Sequence, residues 1–312
     1  MIREGGSRPL TFFQRVWQTH FAKRFSPDQR SKVVPVKSFP AVCFRHDMDA
    51  CGPAELSKFV NQDRLLDVPS TCFFLLHQVL ECTETLRKLE SSGYEIELHS
   101  EARPFWGTSV VQLISITENG YRKNLRRQLR RMHGKGFKPL GHAPHSIHNY
   151  LGFQSWINWN VIEQASIGIG LPYISAWRSM SCLSEGTVGF PVPLPPYCRK
   201  MGSRQVLVLP TSWDDKYFFS SYEDRHIRRT TDSMVTGHTV KEALSSIFIQ
   251  LDRCKQASVP LVLNLHPVHA VTGRAKVLEL KEEVIGLARG QGIPILSLRQ
   301  LCNELGSHVG EL

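Results

Sequence analysis

Residues 44–50, FRHDMDA, end an apolar run in an unusual way. Ala41, Val42 and Cys43 read as a strand entering a core, and then Arg45, His46, Asp47 and Asp49 arrive within five positions. Side chains alternate along a strand with period two, so Asp47 and Asp49 share one face if the strand persists. Two carboxylates that close repel each other. A divalent cation would remove the conflict, with one carboxylate as ligand and the other left to take a proton from water. The structural alternative is that Asp49 caps the helix that begins near Pro53.

Strands and helices alternate outward from this stretch. STCFFLL and YEIELHS are the next strands, with a helix from Pro53 to about Leu66 before them and TETLRKLESSG between them. A helix from about Glu118 to His133 carries Leu125, Leu129 and Met132 on one stripe. PLGHAPH, GIGLPYISAW and VLVLPTSW are further strand candidates. Helices at about Val240–Ala257 and Arg274–Arg289 flank the strand VPLVLNLHP, and PILSL is a last short strand. The pattern predicts a parallel sheet with helices outside it, closed into a barrel or open and doubly wound. Residues 184–205, rich in Gly and Pro, read as a long surface loop. Residues 1–38 are basic, with eight Lys or Arg against Glu4 and Asp28, and form an N-terminal extension to a single domain over 39–312.

Parallel α/β folds bind ligands at the carboxyl ends of their strands, and the unusual residues gather there. The first strand ends in His46, Asp47 and Asp49, and the third in His99, Glu101 and Arg103. The fourth carries His142 and His145, a later one ends in Trp213, Asp214 and Asp215, and the next in His266. Any one of these has an ordinary explanation as a helix cap or a hydrogen-bonded loop residue. Their convergence on one edge of the sheet points to a site. His99 offers the imidazole that zinc and similar metals prefer. Trp213, beside Asp214, is the aromatic best placed to stack on a sugar ring.

Composition narrows the classes. With 41% hydrophobic residues and 21% charged, the 312-residue chain can bury a large core. The formal charge of +10 favours anionic partners. Six basic residues, Arg122, Lys123, Arg126, Arg127, Arg130 and Arg131, lie on one helix face; they suit either solvent or an anionic glycan or membrane surface. No aromatic platform or known module accompanies them, so nucleic acid is not expected. Eight scattered cysteines without a CxxC pair indicate a reducing compartment. No stretch approaches the roughly 20 apolar residues of a spanning helix, so a cytoplasmic protein, peripheral to a membrane at most, is expected. No G-x-S-x-G elbow, Walker A loop or dinucleotide fingerprint occurs.

RHDMD, ELHSEAR, GHAPH and LVLNLHP, in this order, resemble the successive motifs of the polysaccharide deacetylase superfamily (carbohydrate esterase family 4). The first motif is similar to that of the RHD-x-D branch met in surface-polysaccharide biosynthesis. The resemblance spans roughly residues 41–302 and implies a deformed (β/α)7 barrel that hydrolyses an N-acetyl or related amide with one divalent transition metal, zinc first, with cobalt, manganese or nickel as alternatives. By position, Asp47 would be the general base, Asp49 and His99 metal ligands, His266 the general acid, and Leu265 part of the wall around the acyl methyl. The substrate would be an amino sugar or a glycan precursor. The family's second motif supplies another histidine where this chain has Arg103, so Glu101, His142 or His145 would complete the ligand set. His142 and His145 stand where the third motif has arginine and tyrosine. Together with Arg103, Trp213, Asp214 and Asp215 they would line the substrate site, one of the aspartates orienting a catalytic partner. Two alternatives keep the fold: a catalytically silent barrel that binds a glycan or protein, and a hydrolase of a small non-sugar amide.

Overall fold

The computed structural model describes residues 31–48, 51–101, 118–145, 156–176, 194–215, 240–267 and 277–307. Asp49 and Arg103 lie outside them, as does the side chain of His145.

Eleven strands form one sheet: β1 (Ser31–Pro35), β2 (Val42–Asp47), β3 (Ser70–Phe74), β4 (Glu95–Glu101), β5 (Gly141–His145), β6 (Tyr173–Ala176), β7 (Tyr197–Met201), β8 (Arg204–Pro210), β9 (Trp213–Asp214), β10 (Leu261–Leu265) and β11 (Ile295–Leu296). Their order is β1-β7-β8-β6-β5-β4-β3-β2-β10-β9, with β11 beside the start of β2. From β8 through to β9 every pairing is parallel. β9 follows β8 after only Thr211 and Ser212, so the two ends of this parallel run belong to one interrupted strand. The run therefore curls back on itself, and β2, β3, β4, β5, β6, β8 with β9, and β10 make a deformed barrel of seven parallel positions. Among the described residues eight α-helices accompany it: α1 (Pro53–Asp63), α2 (Leu76–Glu81), α3 (Thr83–Ser91), α4 (Glu118–Gly134), α5 (Trp156–Ile169), α6 (Val240–Ala257), α7 (Val277–Gly290) and α8 (Leu298–Ser307).

Alternation along the strands sorts the side chains. In β4, Ile96 and Leu98 join the apolar layer under α1 to α5, while Glu95, Glu97 and His99 take the opposite, inner face. The lower interior is closed by α8, whose Leu298, Leu301 and Leu305 pack with Cys43, Phe73 and Val262. There Arg299 Nε donates to Glu97 Oε1 at 2.6 Å and Ser297 bonds Glu95. A second outer layer joins Leu261, Leu263 and Leu265 to α6 and α7. Gly141 opens β5 because a Cβ there would meet the Tyr173 ring at 2.4 Å.

Two expectations change at the sheet edge. Within 184–205, read as a loop, Tyr197–Met201 is a strand that pairs antiparallel with β8 across Gly202 and Ser203. Residues 31–35, assigned to the extension, pair antiparallel with β7 and form the sheet's edge. The hairpin turns on Gly202, whose φ of +60 suits glycine.

Candidate active site

The upper interior of the barrel is polar. Arg45 and Asp47 stand two apart on β2 and so share its inner face. The guanidinium grips the carboxylate, Nε donating to Oδ1 at 2.9 Å and Nη2 to both oxygens at 2.7 Å. Its Nη1 crosses the barrel to Ser175 Oγ and Thr211 Oγ1, both at 3.1 Å. Burial alone would raise the Asp47 pKa; Arg45, with His99 and His266 beyond it, outweighs burial and holds the carboxyl well below the usual range. Asp47 is therefore an anion near neutral pH.

Asn264, near the end of β10, is in register with Arg45 on one side and Asp214 on the other. Its Nδ2 donates to Asp47 Oδ2 at 3.0 Å and to Asp214 Oδ2 at 2.7 Å. One amide group thus joins the two carboxylates. Beyond Asp214, His266 Nδ1 lies 2.5 Å from Asp215 Oδ1 and 3.8 Å from Asp214 Oδ1. The His266 backbone N–H also donates to Asp215 Oδ2 at 2.8 Å. Asp215 therefore holds both the ring and the backbone of His266.

On the other side of Asp47, His99 Nε2 lies 3.9 Å from Asp47 Oδ2. His99 Nδ1 is 2.9 Å from the carbonyl oxygen of Ala143. A carbonyl only accepts, so Nδ1 carries a proton, and Nε2 is the ring nitrogen turned toward Asp47. That is the orientation a metal-ligating histidine adopts. Asp214, Asp215 and His266 form a group whose ligand atoms lie within 4.8 Å of one another and could hold a metal ion. Buried carboxylates with a correctly turned imidazole fit a divalent transition metal by donor chemistry.

The other expected site residues lie elsewhere. His142 is fully buried on the outer face of β5, between Ser100 Oγ at 2.7 Å and Ser166 Oγ at 2.8 Å. Ser166 donates its own proton to the Ile162 carbonyl, so His142 Nε2 donates and Nδ1 accepts. With both nitrogens engaged and its pKa pushed down to about 3 by burial and then by His99, it stands apart from the interior cluster. Trp213, with no exposed surface, donates Nε1 to Ser246 Oγ of α6 at 2.8 Å, and Leu265 packs in the same outer layer. Neither faces the polar interior, because Asp214 and Asn264 occupy the inward positions of β9 and β10. Glu101 ends β4 on the inner-face parity of His99, and its backbone is tied to Asn124 and Gln128 of α4. His145 pairs through its backbone with Glu101.

Arg45 and Asn264 were not singled out from the sequence, although signals existed. Arg45 precedes Asp47 by two, the same-face spacing, and Asn264 is the one polar residue in LVLNL.

Solved structures share this arrangement of strands and helices. A candidate polysaccharide deacetylase from Mycobacterium smegmatis superposes with a TM-score of 0.62 at 17% identity, over 88% of this chain and 94% of that one. A probable polysaccharide deacetylase from Pseudomonas aeruginosa PAO1 gives 0.56 at 13% identity, over 86% and 91%. PuuE allantoinase gives 0.55 at 13% identity, over 86% and 90%. No protein-family model and no curated protein sequence matches the chain. The chain is therefore similar in fold to the polysaccharide deacetylases.

Proposed function

We propose that the chain is a metal-dependent hydrolase that removes an N-acetyl or similar acyl group from an amino sugar or a surface-polysaccharide precursor. The observation that carries the proposal is the continuous polar line from His99 through Asp47, Asn264 and Asp214 to the His266–Asp215 pair, inside a barrel of the deacetylase type.

His99 would hold the metal together with Asp49, and Glu101, His145 or the carboxylates of Asp214 and Asp215 are the donors left to complete the set. A divalent cation there would polarise the acyl carbonyl and acidify the attacking water. Asp47, kept anionic by Arg45, would accept the water's proton through Oδ2, the oxygen that faces His99. His266, held by Asp215, would deliver a proton from Nε2 to the departing amine, leaving the Nδ1 hydrogen bond in place. Carboxylate and imidazole thus work from the two ends of the line, which separates base from acid.

A second reading has its own support. Both oxygens of Asp47 already accept hydrogen bonds from Arg45 and Asn264, and Arg103 replaces a ligating histidine of the resembled motif. A barrel so arranged would bind a glycan without turning it over. The named activity of PuuE allantoinase, a fold neighbour, adds a ring amide to the substrates worth testing.

The test is acetate or amine release from a panel of N-acetylated amino sugars, nucleotide-linked amino sugars, and acyclic and ring amides, with zinc, cobalt or manganese supplied. The proposal expects turnover of an acetylated sugar that falls at least a thousandfold in Asp47→Asn. Saturable sugar binding with no release under any metal would favour the silent barrel, and turnover confined to the simple amides would favour the non-sugar hydrolase.

A further inference from the structure

Helix α4 concentrates charge that the interior site does not use. Its 17 residues hold Arg122, Lys123, Arg126, Arg127, Arg130 and Arg131 against Glu118 alone, a net of +5, half of the chain's formal +10. The buried side is apolar, with Tyr121, Leu125, Leu129 and Met132 in the core layer. On the outer side Lys123, Arg126, Arg127, Arg130 and Arg131 are all exposed. Arg122 pairs with Glu118 at 3.3 Å, but none of these five has an acidic partner among the described residues. Arg126 donates to the Gly168 carbonyl, Arg127 to Asn124 and Arg130 to the Arg126 carbonyl, bonds that leave each full charge uncompensated.

Local stability does not account for the run. Like charges at i, i+4, such as Lys123, Arg127 and Arg131, weaken a helix. The dipole favours cations only in the last turn, which covers Arg131 but not Lys123, Arg126, Arg127 or Arg130. The exposed face carries no aromatic residue, and nucleic-acid surfaces ordinarily pair charge with stacking platforms. It is also a convex single helix, about 25 Å long, rather than a groove that could hold a glycan chain. What a convex row of long cationic side chains, without acidic partners among the described residues, matches is a broad plane of negative charge. Leu140, 40% exposed a few residues past the helix, adds an apolar group near its end.

We infer that the outer face of α4 docks the protein on the surface of a bilayer rich in anionic phospholipid headgroups. This docking is independent of the chemistry proposed for the barrel interior. Each basic residue near such a surface strengthens partition by about fivefold.

The test is co-sedimentation of the full chain with phosphatidylglycerol–phosphatidylcholine vesicles and with phosphatidylcholine alone, at low and at physiological salt. A triple variant, Lys123→Gln with Arg127→Gln and Arg131→Gln, is compared with a charge-matched triple, Arg15→Gln with Lys23→Gln and Arg24→Gln. Circular dichroism checks that both variants fold. The expected result is binding to the anionic vesicles only, lowered by about a hundredfold in the α4 variant and by less than threefold in the matched one. No binding to anionic vesicles, or equal losses in the two triples, overturns the assignment. So does tighter binding of the wild type to single-stranded DNA or heparin than to the vesicles at the same salt.

Discussion

Asn264 lets one amide group serve two buried carboxylates, and its replacement tests how the interior line is held together. Hydrogen bonds to charged groups contribute about 1.5–3 kcal/mol each. Asn264→Ala leaves Asp47 and Asp214 without their shared donor, so urea denaturation is expected to report a loss of about 2–4 kcal/mol; an unchanged midpoint would mean the bridge contributes nothing. His142 permits a signed prediction. Its folded pKa, about 3, lies below the unfolded value near 6.5, so the unfolded chain binds more protons between those limits. The stability this burial contributes is fully present above pH 6.5 and is lost as pH falls toward 3, at about 1.4 kcal/mol per pH unit. His46, lowered to about 3 by burial and by Lys281, adds a second contribution of the same sign, whereas Glu97, raised to about 7 by burial, opposes them. Comparison with His142→Gln isolates one group. Between pH 6.5 and 4.5 the wild type should lose about 2 kcal/mol more than the variant; parallel curves would contradict the buried neutral ring.

Lys281 shows how the elements behind the site are locked. From α7 it reaches, with its side chain wholly buried, to Asp63 at the end of α1, donating to both oxygens at 2.8 Å. It also donates to Ser70 Oγ of β3 at 2.9 Å and lies 3.3 Å from His46 Nε2 of β2. Tyr94, at the entry to β4, donates its hydroxyl to Asp63 Oδ2 at 2.7 Å. Removing one partner of such a pair leaves a buried charge alone, at a cost of about 3–5 kcal/mol. Lys281→Met is expected to destabilise by that amount in denaturant titration, and the double variant with Asp63→Asn to recover most of it. A double variant no more stable than the single one would show that the ion pair itself is not what holds these elements together. This lock was illegible in the sequence. Lys281 sits in an ordinary amphipathic helix among other charged residues, and only the packing of four elements around it reveals why it is buried. The helices α6 and α7 were legible, because their apolar faces repeat at helical spacing. α5 was missed: its run WINWNVIEQASIGI is apolar on most sides and shows no contrasting faces.

Across the whole molecule, the alternation of strands and helices was readable as a parallel α/β layout, while closure into a deformed barrel followed from the motif resemblance and not from the alternation. The barrel closes through the two-residue interruption between β8 and β9, and nothing in VLVLPTSW distinguishes a broken strand from one strand with a polar end. The site was partly legible for the same geometric reason. Residues at strand ends were found, yet which face each occupied followed from register. Asp47, His99, Asp214, Asp215 and His266 come together, while His142, Trp213 and Leu265 fall on outward positions. The missing second histidine of the resembled motif makes the metal the central question. The direct measurement is metal content of the full chain purified without chelator, before and after incubation with zinc, cobalt or manganese, for wild type, Asp49→Ala and His99→Ala. About one divalent transition metal per chain, lost in both variants while the fold is retained, is the predicted result. A wild type that binds none under any of these conditions would contradict the hydrolase account and leave the barrel as a binding protein.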